Sequence, residues 1–111
     1  MAVVYIGCYT EMITSDFGGH GKGITCLYLN DETGAIKVLH EHSTINPGYL
    51  VIDNYKKMLY TITEIVATKN PVVKAFKINE DYSLQFINQQ AIIGSLPCHI
   101  HKVGNAILIS C

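Results

Sequence analysis

Short apolar runs separated by turn chemistry fill this chain, and almost none of them has helical spacing. The runs predict seven to nine strands, at about 3–9, 23–30, 35–43, 48–53, 58–65, 72–79, 84–92, 98–103 and 106–111. The turns between them carry recognisable residues. Asn30-Asp31-Glu32-Thr33-Gly34 and Asn79-Glu80-Asp81-Tyr82-Ser83 each join two strands as hairpin loops. Asp53-Asn54-Tyr55-Lys56-Lys57 joins a third pair, and Val103-Gly104-Asn105 is its shortened counterpart. VVKAFKI and YLVI are apolar on both faces, which fits strands covered on both sides. LYTITEI instead alternates, with Tyr60, Ile62 and Glu64 on one face and Leu59, Thr61, Thr63 and Ile65 on the other.

The pattern repeats once. Pro47 matches Pro97 and Leu50 matches Ile100 at an offset of 50, and Leu59 matches Leu108 at 49 because the second turn is one residue shorter. Before these, Leu29-Asn30 falls on Ile78-Asn79 and Ile36 on Leu84. A period of 40–50 residues made of short strands is the mark of a β-propeller blade. The expected fold is therefore all-β, about two blades of a propeller. Residues 1–45 supply three strands of a ring-closing blade, 46–94 one complete blade, and 95–111 the first two strands of the next. At about 48 residues per blade, a ring of four to eight blades needs roughly 190–390 residues. The chain is thus expected to be the N-terminal portion of a larger ring, closed by missing C-terminal blades or by self-association. A self-contained small β-protein is the competing reading. It would leave unpaired strand edges at both ends and bury little core per residue.

Composition narrows the function. The 111 residues are 49% hydrophobic and 15% charged, too apolar for disorder, with a formal net charge of −1. All 8 basic residues are lysines and form no stripe, which argues against nucleic acid as a partner. No run approaches the length of a membrane-spanning helix, and the start lacks the basic segment of a secretory leader, so a cytoplasmic location is expected. Cys8, Cys26, Cys98 and Cys111 include no C-x-x-C pair, and the zinc and thioredoxin readings fail on spacing. They read as small apolar residues of the strands.

Four segments occur in one order and spacing: Tyr5-Ile6-Gly7-Cys8-Tyr9-Thr10, Asn46-Pro47-Gly48-Tyr49-Leu50, Leu59-Tyr60-Thr61-Ile62-Thr63-Glu64 and Pro97-Cys98-His99. Together they resemble the N-terminal part of the lactonase family of seven-bladed propellers, which includes propeller-type 6-phosphogluconolactonases and fungal carboxymuconate cyclases. The resemblance spans essentially the whole chain. It implies a lactone-handling enzyme with its site at one end of a central channel, without metal or other cofactor, acting on a small sugar lactone. The turn after His99 departs from the family's longer Asp-x-x-Gly pattern.

Lactone hydrolysis needs an activated water, donors for the carbonyl oxyanion and a grip on the substrate's charged groups. Glu64, where the family motif also has a glutamate, is the first catalytic candidate, as general base or as a binder of sugar hydroxyls. His99, at the start of an inner strand, is the second catalytic candidate, because imidazole titrates near neutrality. Tyr9 falls on the strand position of Glu64 and is expected to line the same rim and bind substrate. His101 shares a face with His99, but no third ligand is identifiable, so no metal site is expected. His40 and His42 read as an exposed polar face. The loop Gly18-Gly19-His20-Gly21-Lys22-Gly23 lacks phosphate-loop spacing and reads as a lead into a strand. The lack of arginine places the anion-binding residues beyond Cys111 and predicts that residues 1–111 alone are inert. The resemblance makes 6-phosphogluconolactonase, of the pentose phosphate pathway, the expected activity of the complete protein; a cyclase or lactonase for another small carboxylated substrate such as carboxymuconate, or a non-catalytic binding module on the same fold, are the alternatives.

Overall fold

The computed structural model describes residues 2–111 and contains nine strands. The strands β1 (Ala2–Gly7), β2 (Ile24–Leu29) and β3 (Ile36–His42) form one antiparallel sheet. A second contains β4 (Leu50–Asp53), β5 (Met58–Ile62), β6 (Val72–Ile78) and β7 (Leu84–Ala91). The hairpin of β8 (His99–Val103) and β9 (Ala106–Ser110) makes the third. Within each sheet every strand pairs with its neighbour in sequence, so each is an up-and-down meander. All nine expected strands are present, with ends within three residues of the expected bounds.

The sequence repeat is also a repeat of backbone irregularity. The β2–β3 register slips between Cys26 and Leu27, leaving Leu39 without a partner. The β6–β7 register slips between Ala75 and Phe76, leaving Ile87 unpaired at the equivalent place. Such bulges bend the outer strands and increase their twist. The residues that lead into β4 and β8 match as well: Asn46 (φ 40) before Pro47 and Leu96 (φ 53) before Pro97 are both left-handed. Asn30 Oδ1 accepts the N–H groups of Glu32 and Thr33, and Asn79 receives the N–H of Tyr82, so both hairpin turns are tied by an asparagine.

The core lies between sheets. Ile24, Leu59 and Phe76 are fully buried where the first sheet faces the second, with Tyr5, Leu50, Ile78 and Leu84 packed around them. Each of these three side chains contributes about 1.5–3 kcal/mol by leaving water. The Tyr5 hydroxyl donates to the Tyr82 carbonyl at 2.6 Å, pinning β1 to the β6–β7 turn. On the other side β8 packs on β4 and β5 with Ile100 buried.

Three sequence expectations change. The pair His40 and His42 is half-buried against the second sheet instead of forming an exposed face. His40 Nε2 meets the Asp81 carbonyl oxygen at 2.8 Å, and the His42 ring sits edge-on to Phe76 at 4.9 Å. Burial and the nearby Lys74 hold the His42 pKa below its usual value. A single 3₁₀ turn, Ala67–Lys69, lies between the strands expected at 58–65 and 72–79, where no helical element was drawn, and left-handed Asn70 stops it. Finally, β5 stops at Ile62 and its alternation is not a one-sided pattern: Thr61, Ile62, Thr63, Glu64 and Ile65 are all buried.

Candidate active site

Glu64 stands two residues past the end of β5, and its backbone explains why the strand stops there. Thr63 still bonds to Val72, but the Glu64 N–H turns away to the Asn46 carbonyl at 2.9 Å. The Glu64 carbonyl accepts from Asn46 Nδ2 at 3.2 Å. The side chain is only 8% exposed. It is therefore a buried carboxylate, not the solvated one that a strand terminus usually carries. The Tyr9 hydroxyl donates to its Oε2. Oε1 accepts no hydrogen bond from the described residues.

Tyr9 also lies two residues past its strand. Its carbonyl accepts the Gly21 N–H at 2.7 Å, and its ring packs edge-on to Phe17 at 5.3 Å. A Cβ on Gly19 would stand 3.1 Å from Tyr9 Cβ. The glycine-rich loop is thus a bed for Tyr9, with the N–H groups of Gly19 and Gly21 already spent on Glu11 and Tyr9. Burial, then the bond to the Glu64 carboxylate, pushes the Tyr9 pKa up to about 12. The phenol therefore stays protonated and remains a donor at neutral pH.

Gly48 completes the wall beside Glu64. A Cβ there would sit 3.2 Å from the carboxylate carbon and from Oε2, so only glycine leaves the carboxylate undisturbed. Cys98, the residue of the third sheet equivalent to Gly48, is an exposed free thiol close enough to raise the Tyr9 pKa electrostatically. Residues from the ends of all three sheets meet around the Tyr9 hydroxyl.

His99 follows Cys98 but does not join the pair. Among the described residues it makes no hydrogen bond to Tyr9 or Glu64. Its exposed ring lies edge-on to Tyr49 at 4.7 Å and stacks on His101 at 6.4 Å and 15°. Tyr49 and His99 are equivalent residues of β4's approach and β8, so their contact forms one rim across two sheets. No group of three or more His, Cys, Asp or Glu side chains that could hold a metal ion occurs among the described residues. Lys69 reaches Glu11 at 4.0 Å. Asn46, Gly48 and Cys98 were not expected to matter individually. Their sequence signal is their place in the segments Asn46-Pro47-Gly48 and Pro97-Cys98-His99, which mark the repeated entry into β4 and β8.

The description "Lactonase, 7-bladed beta-propeller" fits residues 3–110. An uncharacterised protein of Staphylococcus epidermidis is 36% identical over 89 residues, covering 80% of this chain and 23% of that protein. A Formosa agariphila protein named 6-phosphogluconolactonase is 29% identical over 111 residues, covering 96% of this chain and 30% of its own length. Two crystal structures provisionally named 6-phosphogluconolactonase superimpose closely. That from Bacteroides uniformis has a TM-score of 0.82 at 26% identity, over 96% of this chain and 29% of its own. That from Bacteroides fragilis has a TM-score of 0.81 at 30% identity, over 95% and 28%. The chain therefore spans between 23% and 30% of the length of these relatives. With its all-β repeat, its bulges and this match over nearly every residue, the chain belongs to the lactonase family of seven-bladed β-propellers.

Proposed function

We propose that the whole protein hydrolyses 6-phosphogluconolactone to 6-phosphogluconate in the cytoplasm, as a step of the pentose phosphate pathway. The observation that carries this reading is the buried Glu64 carboxylate, held at Oε2 by a protonated phenol and with no hydrogen bond to Oε1 among the described residues. It gains weight from relatives that bear the name of this activity.

In the reaction, Glu64 Oε1 takes a proton from water as its oxygen attacks the lactone carbonyl. The tetrahedral oxyanion then collapses, the ring C–O bond breaks, and the leaving alkoxide receives a proton to become a hydroxyl. Tyr9 fixes the carboxylate rotamer and lines the rim for substrate. His99 faces the same rim as donor to the oxyanion or leaving oxygen. The phosphate needs cations that residues 1–111 do not cluster, so they come from the remaining blades. We divide the chain accordingly: 1–45 as three strands of the ring-closing blade, 46–94 as a complete blade and 95–111 as the first half of the next.

The test is turnover of 6-phosphogluconolactone by the whole protein. Glu64→Gln is expected to lower kcat by about a hundredfold or more. Unchanged turnover would make the Tyr9–Glu64 pair a strut between blades and favour a binding module. Turnover confined to another small carboxylated lactone would keep the mechanism and change the substrate.

A further inference from the structure

Asn46 is fully buried, at 0% exposure, and spends every polar atom it has. Its Oδ1 accepts the N–H of Thr10 at 2.8 Å and of Glu11 at 3.1 Å. Its own N–H donates to Thr10 Oγ1 at 3.2 Å. Its carbonyl receives the Glu64 N–H at 2.9 Å and the Gly48 N–H at 2.7 Å, and its Nδ2 reaches the Glu64 carbonyl. Both backbone polar groups of Glu64 therefore end on this one residue, and so do the two residues that follow Tyr9.

We propose that Asn46 is a positioning residue that sets the Tyr9 hydroxyl against the Glu64 carboxylate, by clasping the chain after Tyr9 with its Oδ1 and the main chain of Glu64 with its Nδ2 and carbonyl. This inference rests on the role assigned above to Glu64. Glu64 has left the β5–β6 ladder, so no strand partner fixes its place. Tyr9 has likewise left β1. What relates one to the other, apart from their own bond, is a set of hydrogen bonds through Asn46. Each is worth about 1 kcal/mol, and none can be replaced by water in a buried site without disturbing the backbone.

A purely architectural role does not account for the side chain. Leu96 takes the same left-handed conformation before Pro97 at the entry to β8, and leucine has no polar group to offer. The turn into an inner strand is thus built without an amide. The amide appears at the entry that faces Tyr9 and Glu64. Asparagine also suits the backbone there, since among residues with a Cβ it enters the left-handed region with the least strain.

The test uses Asn46→Gly in the whole protein. Glycine keeps the left-handed backbone and removes only the side chain. The expected result is a fall in kcat of about ten- to a hundredfold with a smaller change in KM, because a misplaced carboxylate loses attack geometry more than binding. A second readout is independent of turnover: the alkaline titration of Tyr9, followed as tyrosinate absorbance against the matching Tyr9→Phe protein. Loss of the clasp is expected to bring it down from about 12 towards the value of a free tyrosine. The groups facing this phenol are the Glu64 carboxylate and the Cys98 thiol, and neither substitution alters them. A milder variant, Asn46→Ser, keeps a polar group for Thr10 but cannot span to Glu64, and is expected to move both readouts in the same direction. Folded variants in which the Tyr9 titration does not move would overturn the proposal. So would full turnover in Asn46→Gly alongside a crippled Glu64→Gln. If Glu64→Gln itself keeps full turnover while Asn46→Gly still lowers the titration, the clasp stands and the mechanism assigned to Glu64 falls.

Discussion

The two junctions between sheets have the same backbone and different chemistry. Each opens with a left-handed residue and a proline, and each brings an inner strand onto the sheet before it. At the first junction the variable positions are Gly7, Asn46 and Gly48. At the second the equivalent positions are Ile62, Leu96 and Cys98. The first set gives close backbone approach and a buried amide, and between them they house a carboxylate and a phenol. The second set gives an apolar seam, with Ile62 and Ile100 buried, closed at its far end by Lys102 against Asp53 at 3.1 Å. The difference teaches that the repeat specifies the ring, whereas the departures from the repeat build the candidate site.

The largest expected effect comes from forcing the first junction to resemble the second. A Cβ on Gly7 would fall 2.1 Å from the Pro47 carbonyl oxygen, a backbone atom that cannot swing aside. Gly7→Ala is expected to lower stability by about 3 kcal/mol in urea unfolding. At the equivalent place Ile62→Val removes one methylene from an apolar seam and is expected to cost only about 1 kcal/mol. Similar losses in the two variants would erase the distinction between a backbone contact and a side-chain seam.

A smaller effect, of opposite sign, comes from the reverse exchange. Leu96 holds φ 53 with its side chain 38% exposed, so its strain is offset by little burial. Leu96→Asn is expected to raise stability by about 1 kcal/mol, since asparagine tolerates this region better. The Leu96 N–H bond to the Ile65 carbonyl, at 2.9 Å, is a backbone bond and survives the change. A loss of stability instead would show that the leucine side chain, not the backbone, organises the second junction.

These contrasts also explain what was legible in the sequence. Strand number, turn positions and the repeat follow from apolar runs and from residues such as Asn30, Asn79 and Gly34, whose local chemistry is self-contained. That Tyr9 and Glu64 stand at the same end of their strands was legible because they occupy equivalent repeat positions; the bond between them was not. The burial of Glu64 was not. It depends on Asn46 drawing the chain out of the β5–β6 ladder, a bond between residues 18 apart that no periodicity reports. His40 and His42 were misread for a related reason. An edge strand of a sheet looks exposed in sequence, and only the packing of sheet on sheet shows that it faces Phe76 and Asp81. His99 lies on the expected strand, but the ring it meets is Tyr49 rather than the carboxylate.

The smallest expected effect separates the junctions by pH. Asp53 accepts the N–H groups of Tyr55 and Lys56 at 3.0 Å each and pairs with Lys102, which closes the second junction. The Lys56 backbone bond first, and then Lys102, hold its pKa below the usual carboxylate range. Asp81, in the turn that supports the first junction, is held low in the same way by the Ser83 hydroxyl and N–H. A carboxylate whose pKa is depressed by folding contributes its stability in full above its unfolded pKa. That contribution is lost as pH falls through the folded value. Unfolding midpoints measured from about pH 5 down to about pH 2 should therefore decline in the unmodified chain. The decline should shrink in Asp53→Asn and, separately, in Asp81→Asn. Because the backbone bonds of the turn also hold Asp53 low, Lys102→Ala should keep part of the slope that Asp53→Asn removes. If Lys102→Ala flattens the profile as fully as Asp53→Asn does, the ion pair and not the turn sets this carboxylate, and the second junction depends on charge to a degree its apolar seam does not indicate.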